Sequence, residues 1–278
     1  MKRIQSADNS IWKSILKLRT RKGREESGCY LVEGLHLMEE ALKCGAEIRQ
    51  IIIRSSFTDS RAAEQNLPDQ WEEKLRQRGI PVIAAADALF DKLSDTETPQ
   101  GVLCVVKKND WPSSFIFRRG SGTPGSNILV LDRIQDPGNL GTLFRTADAA
   151  GYGGVMILKG TADIYSPKVV RSAAGSLFRL PVCFVNTPGE AAALLKKEGK
   201  RILVTDPHGG KNYFDVPLRE NAALVIGNEA GGVCGELLEA ADTRVIIPMA
   251  GNIESLNAAI AAAVLMYESV RQWMQQPT

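Results

Sequence analysis

Residues 224–233 read LVIGNEAGGV, an apolar run that breaks at Gly227 into Asn228, Glu229, Ala230, Gly231 and Gly232. Such a run has the character of a strand buried on both faces. Its ending is the question: three glycines stand around one carboxylate, and neither standard phosphate fingerprint fits. A P-loop needs G-x-x-x-x-G-K-[ST], and a dinucleotide site needs G-x-G-x-x-G at the first turn of a βαβ unit; the chain has neither. That disfavours a nucleotide-dependent oxidoreductase. Glycine supplies positive φ or lets a ligand approach the backbone closely, so a loop wrapped around a flat ligand is the expectation. For Glu229 the first expectation is a structural one, holding a backbone N–H or a basic side chain, ahead of direct catalysis.

Working outward, ILVLD (128–132), GVMIL (154–158), RILVTD (201–206), AALVIG (222–227) and TRVIIP (243–248) are five short, largely apolar strands separated by helical or loop segments. Apolar throughout and alternating with helices, they predict an α/β unit with a mostly parallel sheet covered on both sides. Upstream, CYLVEGLHLMEEALKCG gives a strand and then a helix ending at Gly45, and IRQIIIR a strand. DQWEEKLRQRGIPVIAAADALFDKLSD reads as helix, strand and short helix, and GVLCVVKK as a closing strand. These make a second, smaller α/β domain. The Ser-, Gly- and Pro-rich stretch between them reads as a connecting loop. The expected organisation is a basic segment and small domain over 1–108, a linker over 109–125 and a larger domain over 126–278.

Two more segments carry chemistry. In LDRIQDPGNLGTLFRTADAAG a strand ends at Asp132, and a turn holding Pro137, Gly138, Asn139 and Gly141 opens a helix that bears Arg145. Backbone N–H groups and one guanidinium aimed at a common point suit an anion such as phosphate; a plain βα turn with a surface arginine is the competing reading. In VIIPMAGNIESLNAAIAAAV a strand ends at Ile247, Pro248 fixes the exit, Gly251 permits a tight loop and Ser255 stands at a helix N-cap position. The helix that follows has Asn257 as its only polar residue between Leu256 and Tyr267. It must be buried on most sides, by a subunit interface or by the core of a monomer.

Composition narrows the class. With 44% hydrophobic and 24% charged residues the chain is an ordinary globular protein, and no apolar stretch has the length of a membrane span. No signal core follows the start, so the expected location is cytoplasmic. Cys29, Cys44, Cys104, Cys183 and Cys234 are scattered without a C-x-x-C pair, which suggests buried thiols rather than disulfides or a zinc site. His36 and His208 do not make a triad or metal centre, and the four tryptophans have no spacing of a stacking platform. The net charge of +2 hides a basic end: residues 1–24 hold Lys2, Arg3, Lys13, Lys17, Arg19, Arg21, Lys22 and Arg24 against Asp8 alone. A phosphate backbone would be drawn to it, although a solvated helix face has the same composition.

Together the three segments resemble the SpoU (TrmH-type) family of RNA ribose 2′-O-methyltransferases, in the SPOUT superfamily, over about residues 126–272. Asn139, Gly141 and Arg145 match its first motif; Gly227, Glu229, Gly231 and Gly232 its second; Ile247, Pro248, Met249, Gly251, Ser255, Leu256 and Asn257 its third. YLVEGLHLMEEAL resembles the small substrate-binding domain that precedes the catalytic one in many members. The resemblance implies a deep trefoil knot and S-adenosylmethionine bound in the knot loops at Gly227, Ile247, Met249 and Leu256. Arg145, Asn139, Glu229, Ser255 and Asn257 are the implied catalytic set, no metal is implied, and a homodimer forms through the knot and last helix. Lys17, Arg19, Arg21 and Lys22 are the expected RNA contacts, with rRNA preferred to tRNA as partner. The alternative is a catalytically silent RNA-binding protein on the same fold.

Overall fold

The computed structural model describes residues 2–56, 75–118 and 124–275, and the chain divides into two compact units. The first comprises residues 1–109 together with 165–178. Its strands are β1 (Lys2–Ile4), β2 (Cys29–Glu33), β3 (Ile48–Arg54), β4 (Val82–Ala85) and β5 (Val102–Lys107), ordered β1-β4-β3-β5-β2. β1, β4 and β3 run parallel, while β5 is antiparallel to both β3 and β2. The helices are α1 (Ser10–Lys17), α2 (Arg21–Ser27), α3 (Leu35–Lys43) and α4 (Asp87–Leu93). Asn9 caps α1 by accepting from the N–H groups of Ile11 and Trp12, and Thr20 caps α2 through Gly23. Trp12, Ile15, Ile52, Ile83, Phe90 and Leu103 form the core of this unit. The helix expected around Asp69–Gly79 lies largely outside the described residues.

The segment 165–178 groups with this unit although it follows a strand of the second, Gly154–Leu158. Tyr165 packs its ring 4.8 Å from that of Tyr30, and Arg171 donates to Asp95 at 2.8 Å. No periodicity in the sequence foretold that grouping.

The second unit holds residues 110–164 and 179–278. Its strands are β6 (Ile128–Asp132), β7 (Gly154–Leu158), β8 (Val182–Val185), β9 (Arg201–Thr205), β10 (Lys211–Asn212), β11 (Ala222–Gly227) and β12 (Thr243–Ile246). They form one sheet ordered β10-β12-β9-β11-β6-β7-β8 in which every pairing is parallel. The five strands expected from their apolar runs are all present, and β8 and the two-residue β10 extend the edges. The helices are α5 (Pro137–Ala149), α6 (Pro188–Lys197), α7 (Gly235–Ala240) and α8 (Ala258–Met274).

Period-two alternation distributes each strand between two faces. Val130, Met156, Val204 and Val225 join Ala191 and Leu195 of α6 and Leu237 of α7 in one cluster. Their neighbours Leu129, Leu131, Leu203 and Leu224 point the other way and are also buried, on the side where α8 lies against α5 and β11. Burial on both faces explains why these strands show no polar alternation. Part of the stretch expected as a loose linker is built into this core: Ser113–Phe117 forms a 3-10 turn, and Ile116 is fully buried beside Ile128 and Met156.

Candidate active site

The loops at the carboxyl ends of β6, β7 and β11 converge, which is where open parallel sheets place their sites. β6 delivers Asp132 and α5 starts at Pro137, with Asp136 as its N-cap accepting from the Asn139 N–H at 2.7 Å. That cap puts Asn139 in the first helical turn, facing the loop after β11. There Asn139 donates through Nδ2 to Glu229 Oε1 at 3.0 Å and accepts at Oδ1 from Asn257 Nδ2 at 2.9 Å. The three motifs therefore meet in one line of hydrogen bonds.

Chemistry fixes the sense of that line. A carboxylate only accepts, so Asn139 must turn its amino group to Glu229 and its carbonyl to Asn257. Asn257 then presents its own carbonyl to the N–H groups of Ala259 and Ile260, capping α8 at 2.9 and 3.3 Å. Ser255, read from the sequence as the cap, is exposed in the preceding loop, because the helix starts later than the motif suggests.

Glu229 is exposed in part, and its carboxylate also accepts from the N–H groups of Gln135 and Asp136 at 3.1 and 3.2 Å. Burial pushes its pKa up, but the bonds from Asn139, from Gln135, from its own N–H and from Asp136 outweigh it and hold the carboxyl below its ordinary value. The structural role expected first for Glu229, holding backbone N–H groups, is the one it plays.

Glycine in this loop answers to the loop itself. A Cβ on Gly227 would stand 2.2 Å from the Val233 nitrogen and 2.3 Å from the Gly232 carbonyl carbon. Asn228 and Gly232 exchange backbone hydrogen bonds at 3.1 and 2.9 Å, folding the loop back over Gly227. Gly232 has φ 62°, and Asn228 Oδ1 takes the N–H groups of Ala230 and Gly231. Close approach is thus real, but at Gly227 the approaching backbone is the protein's own rather than a ligand's. Around Gly251 a Cβ would meet nothing within 4 Å, and at Gly231 only Asn228 Oδ1 at 3.6 Å.

Sequence reasoning missed the floor of the site. Asp132 is wholly buried and accepts from Arg133 Nε at 2.8 Å, Arg133 Nη2 at 3.0 Å and the Cys234 N–H at 2.7 Å. Arg133 has φ 60°, a conformation that costs a non-glycine residue on the order of 1 kcal/mol. The only legible signal was an Asp-Arg pair at a strand end.

Arg145 lies on the exposed side of α5, and its side chain makes no hydrogen bond or ion pair among the described residues. Asn139, Glu229 and Asn257 brace one another and none of them bonds it. Ile247, Met249 and Leu256 are half-buried, and among the described residues neither main chain nor side chain of 248–256 takes part in a hydrogen bond. This strip of unspent donors and acceptors, bordered by apolar side chains and open at Gly251, suits a flat ligand held by backbone groups.

In the first unit, Arg21 and Lys22 face Glu25 and Glu26 one helical turn on, at 2.8 and 3.8 Å. Arg19 donates to the Lys92 carbonyl and stands 3.9 Å from Asp95. Lys17 alone of the four expected RNA contacts has a side chain without a partner among the described residues. Arg24, counted with the basic end, is buried and donates to the carbonyls of Leu18 and Arg19. Of the cysteines, Cys104 and Cys183 are buried and Cys29, Cys44 and Cys234 half-buried; all five are free thiols.

Comparison with known proteins bears on the same residues. The model of the SpoU rRNA Methylase family matches residues 126–267, and that of the MRM3-like substrate binding domain matches residues 9–104. The chain is 38% identical over 267 residues to the 23S rRNA (guanosine(2553)-2′-O)-methyltransferase RlmP of Bacillus subtilis, covering 96% of this chain and 98% of that one. It is 34% identical to the 23S rRNA (uridine(2479)-2′-O)-methyltransferase of Streptomyces viridochromogenes, over 94% of this chain and 88% of the other. Among solved structures, the SpoU methyltransferase AviRb of S. viridochromogenes in complex with AdoMet superposes with a TM-score of 0.83 at 31% identity, covering 97% of this chain and 100% of that one. The AdoMet-bound rRNA methyltransferase of Sinorhizobium meliloti gives 0.83 at 30% identity, covering 97% of each. With its three motifs gathered in one site and these likenesses running nearly end to end, the chain belongs to the SpoU rRNA methylase family.

Proposed function

We propose that this protein is an S-adenosylmethionine-dependent RNA ribose 2′-O-methyltransferase, with ribosomal RNA as its substrate in preference to transfer RNA. The observation that carries the reading is the line Glu229, Asn139, Asn257, continuous with the unbonded strip 248–256 and accompanied on α5 by an unengaged arginine. Gly227, Ile247, Met249 and Leu256 would hold the cofactor, largely through main chain. When bound, S-adenosylmethionine supplies the sulfonium methyl group.

What remains for the protein is to hold a ribose 2′-hydroxyl in line and to ease loss of its proton. A guanidinium rarely yields its own proton, so Arg145 serves by gripping the adjacent phosphate and stabilising charge that develops on the ribose oxygen. Glu229 is saturated by its donors and acts as a brace rather than a base. Asn139 and Asn257 keep the loops in register, and Ser255 on the exposed loop is assigned to the ribose. The RlmP and S. viridochromogenes relatives carry 23S rRNA methyltransferase names over nearly their whole length, which supports the ribosomal substrate and with it a cytoplasmic site of action.

The reading extends to chain path and assembly. β12 pairs with β9, and β11 lies between β9 and β6, yet Asn257 reaches Asn139 on the helix that follows β6. The chain must cross the end of β11 within residues 247–257, beside the loop 228–232; this supports a trefoil knot, an exception to the rule against threading. α8 exposes Ile260, Tyr267 and Met274 at 51%, 52% and 70%, spaced seven apart along one stripe. That stripe supports a homodimer. The helix expected to be buried on most sides leaves that stripe uncovered within a single chain.

Methyl transfer from labelled S-adenosylmethionine to ribosomal RNA tests the proposal. Arg145→Ala should lower kcat by about 100-fold or more while leaving cofactor affinity within about twofold; retention of most of the turnover would remove Arg145 from the mechanism.

A further inference from the structure

Arg133 touches the loops after β6, β7 and β11, a set that no motif residue joins. Its guanidinium donates to buried Asp132 at the end of β6 and to the Gly232 carbonyl at 3.3 Å in the loop after β11. Its carbonyl accepts from Asn228 Nδ2 at 2.9 Å, in the same loop, and from Gln135 Nε2 at 3.3 Å. Its stem lies under the loop after β7: a Cβ on Gly160 would stand 3.1 Å from Arg133 Cγ, and Gln135 Nε2 also donates to the Gly160 carbonyl. Asp132 in turn takes the Cys234 N–H at 2.7 Å, so the pair holds both ends of the loop that carries Glu229.

The backbone conformation points the same way. Arg133 is one of three non-glycine residues with positive φ among those described. A left-handed residue at a strand end is easily supplied by glycine or asparagine. An arginine there is held by what its side chain and carbonyl bind, and such strain concentrates where structure over-determines a site.

We propose that Arg133 is a positioning residue which, clamped to Asp132, sets the spacing of the loops after β6, β7 and β11 and thereby the shape of the cofactor cradle. This rests on the methyltransferase reading above. Without the guanidinium, the 228–234 loop keeps the Cys234 N–H on Asp132 but loses the tie at Gly232 and the cation that anchors Asp132, and Gly227 and Glu229 shift from the motif they face; displacements of this kind away from the chemistry reduce function up to about 100-fold.

Arg133→Gly is the informative variant, because glycine keeps the positive φ without strain while deleting the clamp. Calorimetric titration with S-adenosylmethionine well below the melting temperature should show the Kd raised by about 10-fold or more, with KM for the cofactor rising in parallel; Tm falls as well, because buried Asp132 loses its partner. Arg133→Lys, which can return one donor to Asp132, should recover part of the loss. Without cofactor, amide hydrogen exchange at Gly232 and Cys234 should quicken in Arg133→Gly. A Kd within about twofold of the parent, unchanged exchange at both amides, or a kcat that falls in step with Tm at constant KM would each overturn the assignment. If the parent itself binds no S-adenosylmethionine, the methyltransferase reading falls, and the exchange measurement still decides whether Arg133 holds the loop.

Discussion

At the scale of single residues, Asn257 has two separable duties, since its carbonyl caps α8 and its amino group bonds Asn139. Asn257→Asp keeps the acceptor and loses the donor, and it sets a second anion against the Asn139 carbonyl. It should hold stability within about 1 kcal/mol of the parent and still lose most methyl transfer. Asn257→Ala should lose both, with the missing cap costing about 1 kcal/mol; thermal melts beside transfer assays separate the two duties, and parent-like activity in Asn257→Asp with loss only in Asn257→Ala would argue that only the cap matters. Glu229 predicts a pH effect. Its folded pKa lies below the ordinary 4.5, so its contribution is fully present above 4.5 and is lost as pH falls through the lowered value. The Tm gap between the parent and Glu229→Gln should therefore be constant from neutral pH down to about 5 and close in more acid solution. A gap that persists unchanged at the acid end would contradict the bonding described for this carboxylate.

Among elements, α1 and α2 show how little a charge count says about a binding face. Eight basic residues crowd the first 24 positions, but Arg24 is spent inside the fold and Arg21 and Lys22 stand opposite glutamates. Such exposed pairs are weak and exchange partners readily, yet they lessen the charge offered to a phosphate. Lys17→Gln should therefore lower the slope of log K for RNA against log salt by about 0.7, the share of one single-strand phosphate contact, and Lys22→Gln by clearly less. Filter binding across a salt series measures both; equal effects would mean that the glutamates do not compete with RNA. The loop after β11 teaches a similar lesson. Its glycines were legible as a need for space, but only the folded loop shows that Gly227 yields its space to Gly232 and Val233.

For the molecule as a whole, the exposed stripe of α8 is what an isolated chain leaves uncovered. Placing Glu at Ile260 and Tyr267 together would set two charges in the proposed interface, where desolvation is costly. Sedimentation velocity should then show a monomer where the parent sediments as a dimer, with far-ultraviolet circular dichroism unchanged because neither side chain is in the core. A parent that sediments as a monomer would send the explanation of that stripe elsewhere.

Five of the seven strands of the parallel sheet were legible in the sequence, because a strand buried on both faces must be largely apolar, and ILVL and AALVIG are. The three motifs were legible through the family resemblance that Asn139, Glu229 and Asn257 help to carry. Tertiary structure alone decided how they act. That Asn257 rather than Ser255 caps α8 depends on where the helix begins. That Asn139 lies between Glu229 and Asn257 depends on segments 90 and 118 residues away arriving at one point. The Asp132–Arg133 clamp was hidden because a positive φ in an arginine has no sequence signature, and segment 165–178 joined the first unit because packing partners are chosen by surface fit, which one-dimensional order does not record.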